Sequence, residues 1–138
     1  MGRILALDYG DKKIGVAISD PMKIIAKPLQ IIMNLSYKRV LNEINSLIKE
    51  LDIEMILVGL PITMKNTSSE QTQKVVEFVN QLKDDLSTDI ETYDERLTSS
   101  IAIQSLIFQG VKTGHNKTEI DKTAAAIFLQ NYLDESKK

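Results

Sequence analysis

The chain has 138 residues, of which 43% are hydrophobic and 26% charged, with a net charge of −2 and no cysteine. That is the size and composition of one ordinary soluble domain with its own core. It excludes thiol catalysis, cysteine-based zinc sites and a disulfide framework. No apolar run reaches the roughly 20 residues of a membrane span. "MGRILALDYG" leads directly into a strand and lacks a signal-peptide layout. A cytoplasmic location with no membrane partner is therefore expected. The slightly acidic balance argues against binding nucleic acid through bulk positive charge, and it leaves room for a local basic patch.

Residues 3–9 and 13–20 read as a β-hairpin, with the Gly and Asp of "YGDKK" at the turn. "IIAKPLQII" (24–32) is apolar and β-branched, and Pro28 restricts it to an edge strand or an interrupted one. The first third is thus expected to be a three-stranded antiparallel meander. The period then changes. Val40, Ile44, Leu47, Ile48 and Leu51 have helical spacing within 36–51. "MILVGLP" (55–61) is a short continuous apolar run, as in a parallel strand buried on both faces. Thr67 and Glu70 have capping-box spacing ahead of a helix carrying Val75, Phe78, Val79, Leu82 and Leu86 on one face. "DIETYDE" (89–95) reads as a strand, 98–109 as a helix ending near Gly110, and Thr118 to Leu133 as a final helix, with 135–138 a frayed tail. The order β-β-β-α-β-α-β-α-α describes a single α/β domain over 1–138: three antiparallel strands, then strands joined by helical crossovers, which makes them parallel.

Three acidic positions lie where local logic would prefer another residue. Asp8 ends the first strand, Asp94 and Glu95 end "IETYDE", and Asp121 opens the final helix. Each has an ordinary structural explanation. Asp8 could accept hydrogen bonds from the turn amides. Asp94 and Glu95 could be solvent-facing or cap the next helix. Thr118 and Asp121 have capping-box spacing, and an acid in a first turn suits the helix dipole. Together they point elsewhere, because acids at strand ends of an α/β sheet gather at the edge where ligands bind. Carboxylates converging there repel one another, and a divalent cation would remove the conflict. Oxygen donors with no Cys and a single His favour a hard ion, Mg²⁺ or Mn²⁺. Two such ions about 4 Å apart would clamp the attacking and leaving oxygens of a phosphodiester displacement.

Four blocks, "LALDYGDKKIGVAISD", "ILVGLPITMKNTSSEQT", "YDERLTSSIA" and "EIDKTAAAIFLQNYL", closely resemble the YqgF (RuvX) family of ribonuclease H-like proteins. They occur in the family's order and span nearly the whole chain. The family is described as a Holliday-junction resolvase or pre-16S rRNA nuclease. The resemblance implies a ribonuclease H-like fold with a mixed five-stranded sheet and helices on both faces. It also implies a metal-dependent hydrolase cutting ribosomal RNA precursor or branched DNA, with the ribosome as a further partner and a monomeric or homodimeric state. By the same resemblance Asp8 would be the central metal ligand, Glu95 the second and Asp121 the third.

Strand alternation puts Asp94 and Glu95 on opposite sides, so the two would not share one role; Glu95 is the preferred ligand and Asp94 the alternative. Arg96 and Thr98 would contact a phosphate or orient Glu95, although Arg96 could equally form an ordinary ion pair. Gly59 would allow close approach of backbone to substrate, unless it only ends its strand. Gly10, Lys12 and Lys13 in the first turn, and Lys112, His115 and Lys117 in the loop before the last helix, are candidate supporting or phosphate-contacting residues; a solvated, charged loop is the plainer reading of both groups. Two other functions fit parts of the pattern. One is a non-catalytic nucleic-acid or ribosome-associated module. The other is an actin-like nucleotide-binding protein, whose phosphate turn resembles "DYG" but which needs a second lobe to enclose its ligand.

Overall fold

The computed structural model describes residues 2–60, 70–94 and 117–136, with side chains of the last segment described for 124–135. Its elements are β1 (Arg3–Asp8), β2 (Lys13–Ser19), β3 (Ala26–Met33), α1 (Tyr37–Leu51), β4 (Ile53–Leu60), α2 (Glu70–Asp85), β5 (Asp89–Asp94) and α3 (Lys117–Ser136). The expected helix at 98–109 and the Thr67 half of the capping box lie outside the described residues.

The five strands form one sheet in the order β3-β2-β1-β4-β5. β1 pairs antiparallel with β2, and β2 with β3. β4 then pairs parallel with β1, and β5 with β4. The expected meander followed by parallel strands is therefore what the chain forms. β3 is an edge strand, as Pro28 required, because proline has no N–H to offer a second neighbour. The β2–β3 register slips between Val16 and Ala17, which leaves Leu29 as the extra residue beside Pro28.

Alternation along β1 separates two cores. Leu5 and Leu7 join Ile14, Val16, Ile32, Ile56, Val58 and Ile90 beneath α1 and α2, which contribute Val40, Ile44, Leu47, Val75, Phe78, Val79 and Leu82. Ile4 and Ala6 join Ala17, Leu57 and Tyr93 beneath α3, which contributes Ala125, Ala126, Phe128, Leu129 and Leu133. Helices thus cover both faces. The second core mixes four alanines (Ala6, Ala17, Ala125 and Ala126) with the larger Ile4, Leu57, Tyr93, Phe128, Leu129 and Leu133.

Helix ends follow the local chemistry. The Ser36 hydroxyl accepts a hydrogen bond from Arg39 N–H at 3.3 Å, capping α1. Asp52 ends α1 in the left-handed region, at φ 55°, with its N–H donating to the Ile48 carbonyl. α3 starts within one residue of expectation and differs at its far end. It begins at Lys117, so Thr118 lies inside it and is no N-cap, and it continues to Ser136, beyond Leu133. Glu135 is therefore helical, and its carboxylate accepts a hydrogen bond from the Tyr93 hydroxyl at 3.3 Å.

That contact has a pH signature. Burial, then the Glu135 charge and its hydrogen bond, then Asp94, push the Tyr93 phenol from 10 up to about 12. A raised phenol means the fold favours the protonated ring. The contribution is fully present below pH 10 and is lost as pH rises through about 12. In alkaline denaturation followed by circular dichroism, Tyr93→Phe should flatten the decline of stability across this window. An unchanged decline would remove Tyr93 as its source.

Candidate active site

Asp8 is the last residue of β1, half-buried, and pairs with Gly15 of β2. Alternation from Ile4 and Ala6 turns it toward the face that α3 covers. Its successor Tyr9 turns the other way and packs on Phe78 of α2, with ring centroids 4.6 Å apart. The two neighbours thus hold opposite faces, and the Tyr9 ring fixes the facing of Asp8.

The hairpin turn after Asp8 is closely braced. A Cβ added at Gly10 would lie 2.5 Å from the Lys13 carbonyl oxygen, a contact only backbone movement would relieve. Asn34, from the far end of β3, holds this turn twice. Its side-chain amide donates to the Gly10 carbonyl at 2.9 Å, and its backbone N–H donates to the Lys12 carbonyl at 2.9 Å. Lys74 of α2 adds an exposed ion pair to Asp11 at 3.3 Å, and the Asp11 hydrogen bond raises the ammonium pKa. Asn34 and Lys74 were not among the residues singled out from sequence. Asn34 sits 24 residues from Gly10 and Lys74 sits 63 from Asp11, and neither belongs to a local motif.

The parallel register aligns the other strand ends with Asp8. Leu7 pairs with Val58, and Gly59 with Tyr93. Continued by one residue, that register sets Asp8, Gly59 and Tyr93 in one row. Gly59, buried at the centre of the row, places no side chain between β1 and β5. Asp94, half-buried at the end of β5, alternates from Tyr93 onto the α1/α2 face, away from Asp8.

α3 starts at this edge and runs away from it across the sheet. Tyr132 reaches Met55 and Glu91, near the starts of β4 and β5. Phe128, one turn earlier, stacks on Tyr93 at 5.9 Å and 16°. The helix therefore passes over the face antiparallel to β1, and its first two turns, which include Lys117 and Asp121, lie at the end of the sheet where Asp8 sits. For those two residues the backbone alone is described. Glu95, Arg96, Thr98, Lys112 and His115 lie outside the described residues. Lys12 is exposed and Lys13 half-buried, both at the Asp8 edge. Among the described residues, no group of three or more metal-ligating side chains comes together, and no helix is long and apolar enough to cross a membrane.

The sheet order, the acid at the end of the first strand and the helix lying across it define a resolvase-type ribonuclease H-like fold. RuvC of Thermus thermophilus, solved with a Holliday junction substrate, superposes with a TM-score of 0.62 at 13% identity, covering 99% of this chain and 96% of that one. The fowlpox virus resolvase, solved with Holliday junction DNA, superposes at 0.55 and 14% identity, covering 99% of each chain. More particularly, the chain belongs to the RuvX family, whose model, described as a Holliday junction resolvase, matches residues 2–135. Relatives carrying the name "Putative pre-16S rRNA nuclease" include one from Desulforamulus reducens, 42% identical with 99% of each chain covered. Another, from Thermoanaerobacter pseudethanolicus, is 46% identical with 98% of each covered.

Proposed function

We propose that this protein is a metal-dependent nuclease that hydrolyses phosphodiester bonds in structured nucleic acid, with precursor ribosomal RNA as its principal substrate. The observation carrying the proposal is the placement of Asp8: a carboxylate held at the end of a central strand, on the face and at the edge toward which α3 brings Asp121. Family membership and the names of relatives covering the full length support the reaction class and the RNA substrate.

Asp8, Glu95 and Asp121 would hold Mg²⁺ or Mn²⁺. The test on the residues present is one of donor chemistry and facing. The three are oxygen donors suited to a hard ion. Asp8 faces α3 and Asp94 the opposite face; Glu95 is taken as the second ligand from the family resemblance of "YDERLTSSIA". When bound, the metal would neutralise the carboxylates and polarise a phosphoryl oxygen. The protein's own part is positional. The Tyr9–Phe78 contact and the Asn34 clamp on the turn keep Asp8 oriented, and the Tyr93–Phe128 stack seats α3 above it. Arg96 and Thr98 would steady the scissile phosphate.

The deciding experiment compares purified protein on a labelled four-way DNA junction and a labelled 16S precursor fragment, with Mg²⁺, with Mn²⁺ and with chelator. Metal-dependent cutting of the RNA is expected. Cutting of the junction alone would replace the RNA substrate with branched DNA and require a two-fold dimer for symmetric incision. Binding without cutting under either metal would replace the enzyme with a non-catalytic binding module.

A further inference from the structure

A cleft of about 420 Å³ opens beside the free edge of β3, lined by Ile31, Met33, Leu35, Arg39, Asn42 and Glu43. It lies at the Asp8 end of the sheet. Asp8 pairs with Gly15, and Gly15 pairs with Ile31, so the cleft's first residue stands in the same row two strands away, about 10 Å by strand spacing. Met33, two rows further out, pairs with Lys13.

The cleft's rim has unusual chemistry for a solvent-exposed surface. Met33 is 47% exposed and Leu35 66%, although burying such side chains is favourable. Four cations belong to the adjoining elements: Arg39 lines the cleft, Lys13 pairs with Met33, Lys12 precedes Lys13 in the hairpin turn, and Lys38 precedes Arg39 in the first turn of α1. None of the four forms an ion pair with another described residue, whereas Lys23 and Lys74 both do. The turn and the helix start are held together by Asn34, bonded to Gly10 and Lys12 two residues before the Ser36 cap. Lys38 and Asn42 share a stripe of α1, as do Arg39 and Glu43. The cleft therefore joins exposed apolar side chains, side-chain donors and an acceptor (Arg39, Asn42, Glu43), and neighbouring positive charge that has no ion-pair partner among the described residues.

We propose that this cleft receives an unpaired nucleotide of the substrate strand, a short single-stranded stretch flanking the bond cut at Asp8. Charge complementarity selects the occupant. A phosphate backbone would track the four cations, while an unstacked base would cover Met33 and Leu35 and use its edge groups on Arg39, Asn42 and Glu43. A blunt duplex keeps its bases stacked and could satisfy only the charges. The inference rests on the nuclease reading for its direction along the strand, and it concerns binding that can be measured without cutting.

The test uses the full chain carrying Asp8→Asn, with fluorescence anisotropy on labelled duplex RNA bearing a single-stranded extension and on the same duplex made blunt. The parent should prefer the extended RNA. Leu35→Ser and Arg39→Gln should each weaken its binding about fivefold or more with a smaller effect on the blunt RNA. Lys38→Gln with Arg39→Gln should also lower the slope of log affinity against log salt by about 1.4, close to 0.7 per phosphate contact on single strands. Equal binding of the two RNAs by the parent, equal losses on both RNAs in the variants, or unchanged binding of the extended RNA would overturn the cleft. If unmutated protein cuts nothing while the extension preference and its loss in the variants persist, the nuclease reading fails and the cleft stands. If it cuts and the preference is absent, the reverse holds.

Discussion

Asp8→Asn is expected to reduce cleavage at least about 100-fold, on the scale of losing a group that stabilises transition-state charge, while the protein stays folded. Asn keeps the size and hydrogen-bonding shape of Asp and removes the negative charge a cation would answer. Asp8 is half-buried at a strand end, so no core packing is lost. Where carboxylates converge without a cation, removing one should relieve repulsion, so the variant in chelator should melt at the same temperature as the parent or slightly higher. Mg²⁺ should raise the parent's melting temperature by linkage and raise the variant's much less. Two readouts then separate two ideas. Undiminished cutting by the variant would remove Asp8 from the catalytic site, and an undiminished Mg²⁺ effect on melting would remove it from the metal site.

Phe128→Ala should produce the largest loss of stability, about 3–5 kcal/mol by urea denaturation. Phe128 is 1% exposed, stacks on Tyr93 and lies at the centre of the α3 core among Ala125, Leu129 and Leu133. Truncation loses buried area and leaves a cavity that its neighbours would fill only in part. Phe128→Leu keeps most of the volume and should cost less than about 1.5 kcal/mol. The effect should reach the site as well. Asp121 stands two turns upstream on the same helix, and a loosened seat at Phe128 misplaces it. Activity per folded molecule, measured well below the denaturation midpoint, should therefore fall for the alanine variant and hold for leucine. Full activity in Phe128→Ala would mean that α3 is positioned by its other contacts.

Much of this architecture was legible residue by residue. The β1–β2 hairpin was readable because Gly10 and Asp11 interrupt two apolar runs, and Gly10 proves to occupy a space where a Cβ would meet the Lys13 carbonyl. Pro28 announced an edge strand by the N–H it lacks, and α1 was visible in the spacing of Val40, Ile44 and Leu47. α3 was harder. Its apolar residues run consecutively through "AAAIFLQ", so no single face stands out, and its far end lies at Ser136, beyond Leu133. The candidate site was proposed from sequence as a set of misplaced acids, of which the structure describes the side chains of Asp8 and Asp94 and sets them on opposite faces, Tyr93 facing α3.

The local terms, then, were determined by sequence alone: where strands and helices lie, which side chains alternate, and where carboxylates interrupt apolar runs. These depend on contacts within a few residues, such as turn sterics and helical or strand period. Only the tertiary structure decided that β4 inserts beside β1, giving the order β3-β2-β1-β4-β5, and that α3 crosses the Asp8 face. It alone decided that Asn34 clamps the turn beneath Lys12, and that Met33 and Leu35 stand exposed beside cations that form no ion pair among the described residues. Those outcomes arise from burial of apolar faces between segments far apart in the chain. Such pairings are chosen by the shape and area that each face can cover, which no short window of sequence contains.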